Sequence, residues 1–408
     1  MERAELADCL GVRFAGLSRS RTIVREADPR QFQRKFAEGV AAGGLVFLAD
    51  PRWTVPETAR FEQLCDVAVQ TARAAENPTR LGWLHIPTGG TGGSLKLARH
   101  DEGTLVAAVR GFQRHFGEKV VDAFGVLPLH HVSGLMAWLR CALTGGVYTA
   151  GDWSSLQAGE LPKERGTRGC LSLVPTQLQR LLESESAVHW LKTFRAVFLG
   201  GGPSWNALLD KAAAAGIPVA LSYGMTETAA MVAAQLPGEF LSGDRSCGRA
   251  LPHVRIEINA ESVVVLLGDS VFRGYAGLPA SIHGRFETGD FGSIDDEGRL
   301  RIVGRRDQVI ITGGEKVDPF AVEAVLRTSG QFSDVVVLGQ SDSTWGQVVV
   351  VCYEDTGTAP DWTRVQADIE RALAPYGRPK RYLPIKPWPR NEQGKVNRAI
   401  LRQALGPG

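Results

Sequence analysis

An α/β fold is predicted, with a large N-terminal domain of mostly parallel sheets and flanking helices and a small hinged α+β C-terminal domain. Three observations point there. Short apolar strands alternate with amphipathic helices from residue 81 to about 303, the pattern of a parallel sheet covered on both faces. Beyond residue 305 the texture changes to short strands and three helices. The chain has 408 residues, which at roughly 150 per domain suggests two or three domains.

The elements follow in order. Over residues 30–75, Phe32, Phe36 and Val40 recur every four residues, and Phe61, Leu64, Cys65 and Ala68 follow Pro56, so two helices flank a short strand. Helices are then expected over 105–116, 134–143, 176–182 and 207–215, and strands over 81–86, 171–174, 196–199 and 219–222. In the tail, Gly313-Gly314 marks a turn and Asp318-Pro319 opens a helix that stops before Gly330, because an acidic cap, a proline at the first helical position and a glycine past the end delimit helices. Strands at 335–338 and 348–353 and helices from Trp362 and Asn397 complete it. The boundaries read from these changes are 1–304 for a large N-terminal domain and 308–408 for a small C-terminal domain, hinged at 305–307.

Composition narrows the class. Hydrophobic residues make up 44% and charged residues 22%, near globular averages, which sets aside disordered and fibrous chains. The formal charge of +2, with no long basic run, argues against a dedicated binder of nucleic acid or anionic membrane. No apolar run reaches membrane-spanning length, and the N-terminus lacks an apolar targeting core, so a soluble, unprocessed protein is expected. The six cysteines contain no C-x-x-C pair, which gives neither a zinc site nor a disulfide framework and fits a reducing cytoplasm. Glycine is abundant, at 47 residues, so the backbone turns tightly or lies close to something at many points.

Five segments carry chemistry. The run Thr88-Gly89-Gly90-Thr91-Gly92-Gly93-Ser94-Leu95-Lys96 follows a strand. Its glycines let backbone N–H groups face an anion, and its hydroxyls and lysine add donors and charge, as in phosphate cradles; a bland flexible loop is the alternative. Ser222-Tyr223-Gly224-Met225-Thr226-Glu227-Thr228 is expected where a strand gives way to an Ala-rich helix, the ligand-binding edge of a parallel sheet. There Tyr223 offers a flat face for a base, Thr226 a hydroxyl for phosphate and Glu227 a carboxylate for Mg²⁺, unless the segment is only a helix start with an acid near the dipole. Gly200-Gly201-Gly202 lets a planar ring approach or makes a tight turn. Asp290, in Thr288-Gly289-Asp290, can accept from a sugar diol with Arg305 in support, or serve a turn. Lys395 stands in a polar loop near the C-terminus, where a lysine is commonly only solvated surface.

Joint occurrence of these pieces in this order is not accidental. Thr-Gly-rich loop, Tyr-Gly-Met-Thr-Glu-Thr, Thr-Gly-Asp, Gly-Arg-x-x-Asp with Gly-Gly-Glu, then Gly-Lys-x-x-Arg resembles the acyl-adenylate-forming superfamily of acyl-CoA synthetases, luciferases and peptide-synthetase adenylation domains, from about Leu81 to Arg398. Within it, the compact N-terminal part, the Pro-Thr-Gly-Gly loop and Leu127-Pro128-Leu129-His130-His131-Val132-Ser133-Gly134-Leu135 resemble the shorter ligases that join o-succinylbenzoate to coenzyme A in menaquinone and phylloquinone synthesis.

The resemblance implies an acid–thiol ligase. An acyl carboxylate would attack the α-phosphate of Mg-ATP, and coenzyme A would then displace AMP. Lys395 would bridge carboxylate and phosphate. Thr88, Gly89, Gly90, Thr91, Gly92 and Lys96 would hold the β- and γ-phosphates, Thr226 the α-phosphate and Glu227 the Mg²⁺. Asp290 and Arg305 would hold the ribose, while Gly200, Gly201, Gly202, Ser222, Tyr223, Gly224 and Met225 would border the nucleotide. His131, Ser133 and Gly134 match the acyl pocket, Gly134 leaving room for an aromatic ring, and Arg140 is a candidate partner for a second carboxylate, a structural arginine being the alternative. Asp307 matches the hinge, and Gly313, Gly314 and Glu315 the thiol tunnel. Partners would be small molecules, the acid, ATP and CoA, with no nucleic acid or membrane; a homo-oligomer is compatible with this. Two departures stand out. Gly89, Gly92 and Leu95 replace the Ser, Thr and Pro usual in the family's loop, and the segment before that loop is short, which suggests a trimmed N-terminal part. The rival readings are another aryl- or acyl-CoA synthetase, a carrier-loading adenylation enzyme, or a silent adenylate-binding protein.

Overall fold

The computed structural model describes residues 2–75, 81–89, 95–162, 169–278, 284–390 and 396–406. Strands β1 (Arg21–Val24), β2 (Leu45–Leu48), β3 (Leu84–Gly89) and β4 (Leu95–His100) form a first sheet in that order. The first three are parallel, and β3 and β4 make an antiparallel hairpin. Helices α1 (Arg3–Cys9), α2 (Pro29–Ala41) and α3 (Val55–Ala74) pack on it. The period-2 alternation of β2 decides which face each helix covers: Val46 and Leu48 join Phe32, Phe36 and Val40 of α2, while Phe47 between them joins Phe61, Cys65 and Ala68 of α3. Phe36 is fully buried and meets Trp138 edge-on at 5.4 Å.

The second sheet holds β5 (Ala123–Gly125), β6 (Tyr148–Ala150), β7 (Cys170–Leu173), β8 (Ala196–Leu199), β9 (Val219–Met225), β10 (Ala230–Ala234) and β11 (Arg249–Ala250), in the order β11-β10-β9-β8-β7-β5-β6. β5 to β9 run parallel; β10 and β11 are an antiparallel edge. Here too alternation sorts the faces. Val197 and Leu199 meet Leu178, Leu208 and Leu209, and Phe198 meets Phe112 on the opposite side. That opposite side is covered by α4 (Glu102–Phe116) and α5 (Val132–Thr144).

The remaining two sheets are mainly antiparallel. β12 (Val254–Ile258), β13 (Val263–Gly268), β14 (Arg285–Ile294) and β15 (Leu300–Arg305) form a meander. The strand–helix alternation expected as far as residue 303 therefore gives way after β9 to antiparallel strands, with one short helix, Pro237–Leu241, among them. The last sheet contains β16 (Ile310–Thr312), β17 (Glu315–Val317), β18 (Val335–Asp342), β19 (Gly346–Glu354) and β20 (Arg381–Ile385). The helix Pro319–Thr328 packs on it through Val322 and Leu326, with Asp318 accepting from Phe320 N at 3.0 Å. The helices expected from 105, 134, 176 and 207 start one to three residues earlier because their caps precede the first apolar residue, as where Asp101 accepts from Thr104 N at 2.9 Å.

Among the described residues no helix is long and apolar enough to cross a membrane.

Candidate active site

β8 and β9 are neighbours with Leu199 opposite Leu221, so Gly200–Gly202 and Ser222–Met225 leave the same carboxyl edge of the sheet. The approach is close, since a Cβ on residue 200 would stand 2.8 Å from Ser222 Oγ and 3.1 Å from its carbonyl oxygen, and Gly201 has φ of +75°. No helix follows β9. Thr226–Thr228 is a single 3₁₀ turn and the chain returns as β10, which corrects both the Ala-rich helix and the helix-start reading of Glu227. Alanine favours helix, but hairpin pairing overrides it and places Ala229 and Ala230 at φ of 50° and 76°. Gly224 admits the returning strand: a Cβ there would meet Ala230 O at 2.0 Å.

The turn delivers Thr226 and Glu227 to the β3–β4 hairpin. Glu227 is buried, and its Oε1 accepts from the Tyr275 hydroxyl at 2.7 Å. The Tyr275 ring in turn faces Lys96 Nζ, 4.9 Å from its centroid, a cation–π contact. Burial first, and then the neighbouring Glu227 charge, push the Tyr275 phenol well above its ordinary range, so it stays a donor. Lys96 is in register with Thr88 across the hairpin. The carbonyl of Thr226 accepts from His100 Nε2 at 2.8 Å, and His100 Nδ1 lies 3.0 Å from Thr104 Oγ1. Burial lowers His100 to about 4, so the ring is neutral with its proton on Nε2. Gly90, Thr91 and Gly92, and likewise Lys395, lie outside the described residues.

A second group forms around Asp290 at the end of the meander. Asp290 Oδ2 accepts from the Tyr223 hydroxyl at 2.6 Å and Oδ1 from Arg305 at 3.0 Å. Burial, reinforced by Asp290, raises the Tyr223 phenol well above its ordinary value. Arg305 also donates to Asp307 at 3.1 Å. Tyr223 therefore does more than present a flat ring; it orients the acid. Gly313 and Gly314, at φ of 58° and 86°, make the β16–β17 hairpin turn that leads into Glu315. They belong to the last sheet, apart from the Glu227 and Asp290 groups.

The third group lies along α5. His131 is its N-cap, and Ser133 and Arg140, seven residues apart, share a face two turns along. Arg140 is buried, with its guanidinium 4.3 Å from the centroid of Phe112, whose ring is 5.4 Å from that of Phe198 on β8. Its Nε has no hydrogen-bond partner among the described residues, and neither ring nitrogen of the nearby His253 has one. Burial lowers Arg140 to about 10, and burial followed by the Arg140 charge lowers His253 to about 4. Gly134 requires a correction. A Cβ there would fall 2.2 Å from Pro128 O and 2.5 Å from Leu127 O, so its missing side chain seats the helix on the preceding loop rather than leaving room for a ring.

Sequence reasoning missed Tyr275, His100 and His253. For Tyr275 the trace was an aromatic between glycines in Gly274-Tyr275-Ala276-Gly277; the two histidines carry no local mark. As a whole, the arrangement offers a cation and a fixed carboxylate beside the β3–β4 hairpin, an acid held by two donors, and, apart from these, a buried cation packed on Phe112.

Comparison with known proteins places these features in context. Residues 18–276 match the family of AMP-binding enzymes. The 2-succinylbenzoate–CoA ligase of Listeria monocytogenes is 32% identical over 285 residues, which is 68% of this chain and 60% of that protein. That of Geobacillus kaustophilus is 32% identical over 335 residues, 77% of this chain and 64% of its own length. The matched part of the chain thus spans about three fifths of the length of these relatives. Among solved structures, o-succinylbenzoate CoA synthetase (MenE) of Bacillus subtilis in complex with the acyl-adenylate intermediate OSB-AMP shares the fold, with a TM-score of 0.78 at 22% identity over 100% of this chain and 92% of that one. A variant of E. coli MenE with bound OSB-AMS gives 0.74 at 26% identity, covering 99% and 91%.

Proposed function

Because this chain belongs to the AMP-binding enzyme family, we propose that it is a Mg-ATP-dependent carboxylic acid–CoA ligase that works through an acyl-adenylate, with 2-succinylbenzoate as its acid. The observation that carries the choice of acid is Arg140, a buried cation with no Asp or Glu paired to it among the described residues. Burying a charge is costly unless an opposite charge or hydrogen bonds compensate it, and the second carboxylate of 2-succinylbenzoate supplies that partner. The names of the relatives support the same acid.

In the first half-reaction the acid's reacting carboxylate is already a nucleophile, so the protein's task is positioning and charge neutralisation rather than proton removal. Lys96, Thr88 and the glycine loop hold the terminal phosphates, and Thr226 the α-phosphate. Glu227 suits a Mg²⁺ ion, which takes one or two carboxylates besides phosphate oxygens; the ion neutralises phosphate charge. Tyr275 and His100 fix Glu227 and the Thr226 backbone in place. Asp290 accepts from the ribose diol while Tyr223 and Arg305 hold its orientation. The tail, residues 308–408, turns about 305–307. In one posture it presents Lys395 to the carboxylate and phosphate, and in the other it withdraws that lysine and lines the thiol path with Gly313, Gly314 and Glu315.

Pyrophosphate release measured with 2-succinylbenzoate, benzoate and a medium-chain fatty acid tests the reading. Preference for the first is expected. Equal rates on all three would remove the acid assignment, and no acid-dependent release would remove the ligase assignment. Lys395→Ala is expected to slow acyl-AMP formation by about 10²–10³-fold while sparing thioester formation from synthetic acyl-AMP; equal loss in both steps would count against the swinging lysine.

A further inference from the structure

We propose that Asp50, His130 and His131 form a binding site for a transition-metal cation, Zn²⁺ being the ion that the donor set suits. Asp50 lies two residues beyond β2, and the two histidines end the loop that leads into α5, so the first and second sheets each contribute to one cluster. One ligand atom from each residue lies within 4.8 Å of the other two. His130 Nε2 is 3.6 Å from Asp50 Oδ2, and the two imidazole rings have centroids 4.4 Å apart with planes tilted by 45°. Tetrahedral zinc, with bonds of about 2.0–2.1 Å, places neighbouring donors about 3.4 Å apart. The His130–Asp50 separation is already within a few tenths of that value.

The carboxylate is held for the task. Asp50 Oδ1 accepts from Arg52 N at 2.9 Å, which fixes the group and turns Oδ2 toward His130. Support of this kind around a ligand sets its orientation. The His130 side chain is buried, at 4% exposure, while that of Asp50 is 17% exposed, so the cluster has a buried floor and an approach from solvent. Two imidazoles and one carboxylate select against Mg²⁺, which demands oxygen ligands, and suit zinc. Three protein ligands leave a fourth position for water or a carboxylate oxygen. The site is separate from Glu227 and does not depend on the ligase reading.

The test uses the full chain, freed of metal by a chelator and titrated with Zn²⁺ alone by calorimetry and by competition with a chromophoric indicator. One zinc per chain is expected. Asp50→Asn and His130→Gln should each weaken binding at least about tenfold, and Glu227→Gln should leave it unchanged. Zinc-edge X-ray absorption on the unmodified protein should show two imidazole ligands, a readout that needs no variant to fold. Absence of stoichiometric zinc, affinity unchanged in both variants, or an absorption spectrum without the imidazole pair would each overturn the site and leave Asp50 as a polar neighbour of His130. Zinc binding that persists in a protein showing no acid-dependent pyrophosphate release would sink the ligase reading and leave this one standing.

Discussion

Asp290 and Arg140 are both buried charges close to β8 and β9, and they are completed in opposite ways. Each carboxylate oxygen of Asp290 has its own donor, Tyr223 on one side and Arg305 on the other. Among the described residues Arg140 has an aromatic face, neutral neighbours and an Nε without a hydrogen-bond partner. A satisfied polar network is rigid before any ligand arrives, whereas a buried cation without an anion is a standing cost. The first is complete as it stands; the second, on the proposed reading, is completed by the acid that binds.

The contrast can be broken most directly at its completed side. Asp290→Ala strands Tyr223 and Arg305 and is expected to destabilise the protein by about 2–3 kcal/mol, below the cost of a fully buried pair because the Arg305 side chain is 36% exposed. Urea unfolding checks this, and AMP binding should be lost with it. Arg140→Met should do the reverse to stability, leaving Tm unchanged or higher, since apolar replacement of a buried charge is commonly neutral or stabilising. The same change should raise KM for 2-succinylbenzoate roughly 10- to 150-fold, the worth of a hydrogen bond to a charged group. A lower Tm with unchanged KM would make Arg140 a structural residue and dissolve the contrast.

Smaller effects sharpen it. Tyr275→Phe removes one hydrogen bond to Glu227, worth ~1 kcal/mol or about fivefold, and this should appear as a higher Mg²⁺ requirement with little change in Tm. His253 adds a readout in pH. Its folded value of about 4 lies below the ordinary 6.5, so on acidification the unfolded chain takes up the proton first. The stability that the neutral ring contributes is therefore full above 6.5 and is lost as pH falls from there toward 4. Urea midpoints at pH 7 and pH 5 should show the drop, and His253→Gln should reduce it. In Arg140→Met, NMR titration should find His253 moved up slightly, because burial, the larger cause, remains.

The sequence made legible what is written locally. The cap at Asp318, the short strand between the first two predicted helices, the strand–glycine edge at Gly200 and the Tyr223-to-Glu227 segment are all short-range patterns, and their physics acts within a few residues. What failed was long-range. Ala229 to Ala234 reads as helix by propensity and is half of a hairpin because pairing with β9 wins. Tyr275 meets Glu227 and His100 meets Thr226 across 48 and 126 residues, distances at which no spacing rule operates. Gly134 was singled out correctly for its missing side chain and given the wrong reason, because which backbone it presses against is a property of the folded loop.

That glycine sets the depth of an entire rod. With carbonyls of residues 127 and 128 where a methyl would stand, even alanine lifts the start of α5, and a rigid helix carries the error down its length to Arg140, about 9 Å along the axis at 1.5 Å per residue. On the proposed reading, choice of acid is tuned from a position that touches no acid at all.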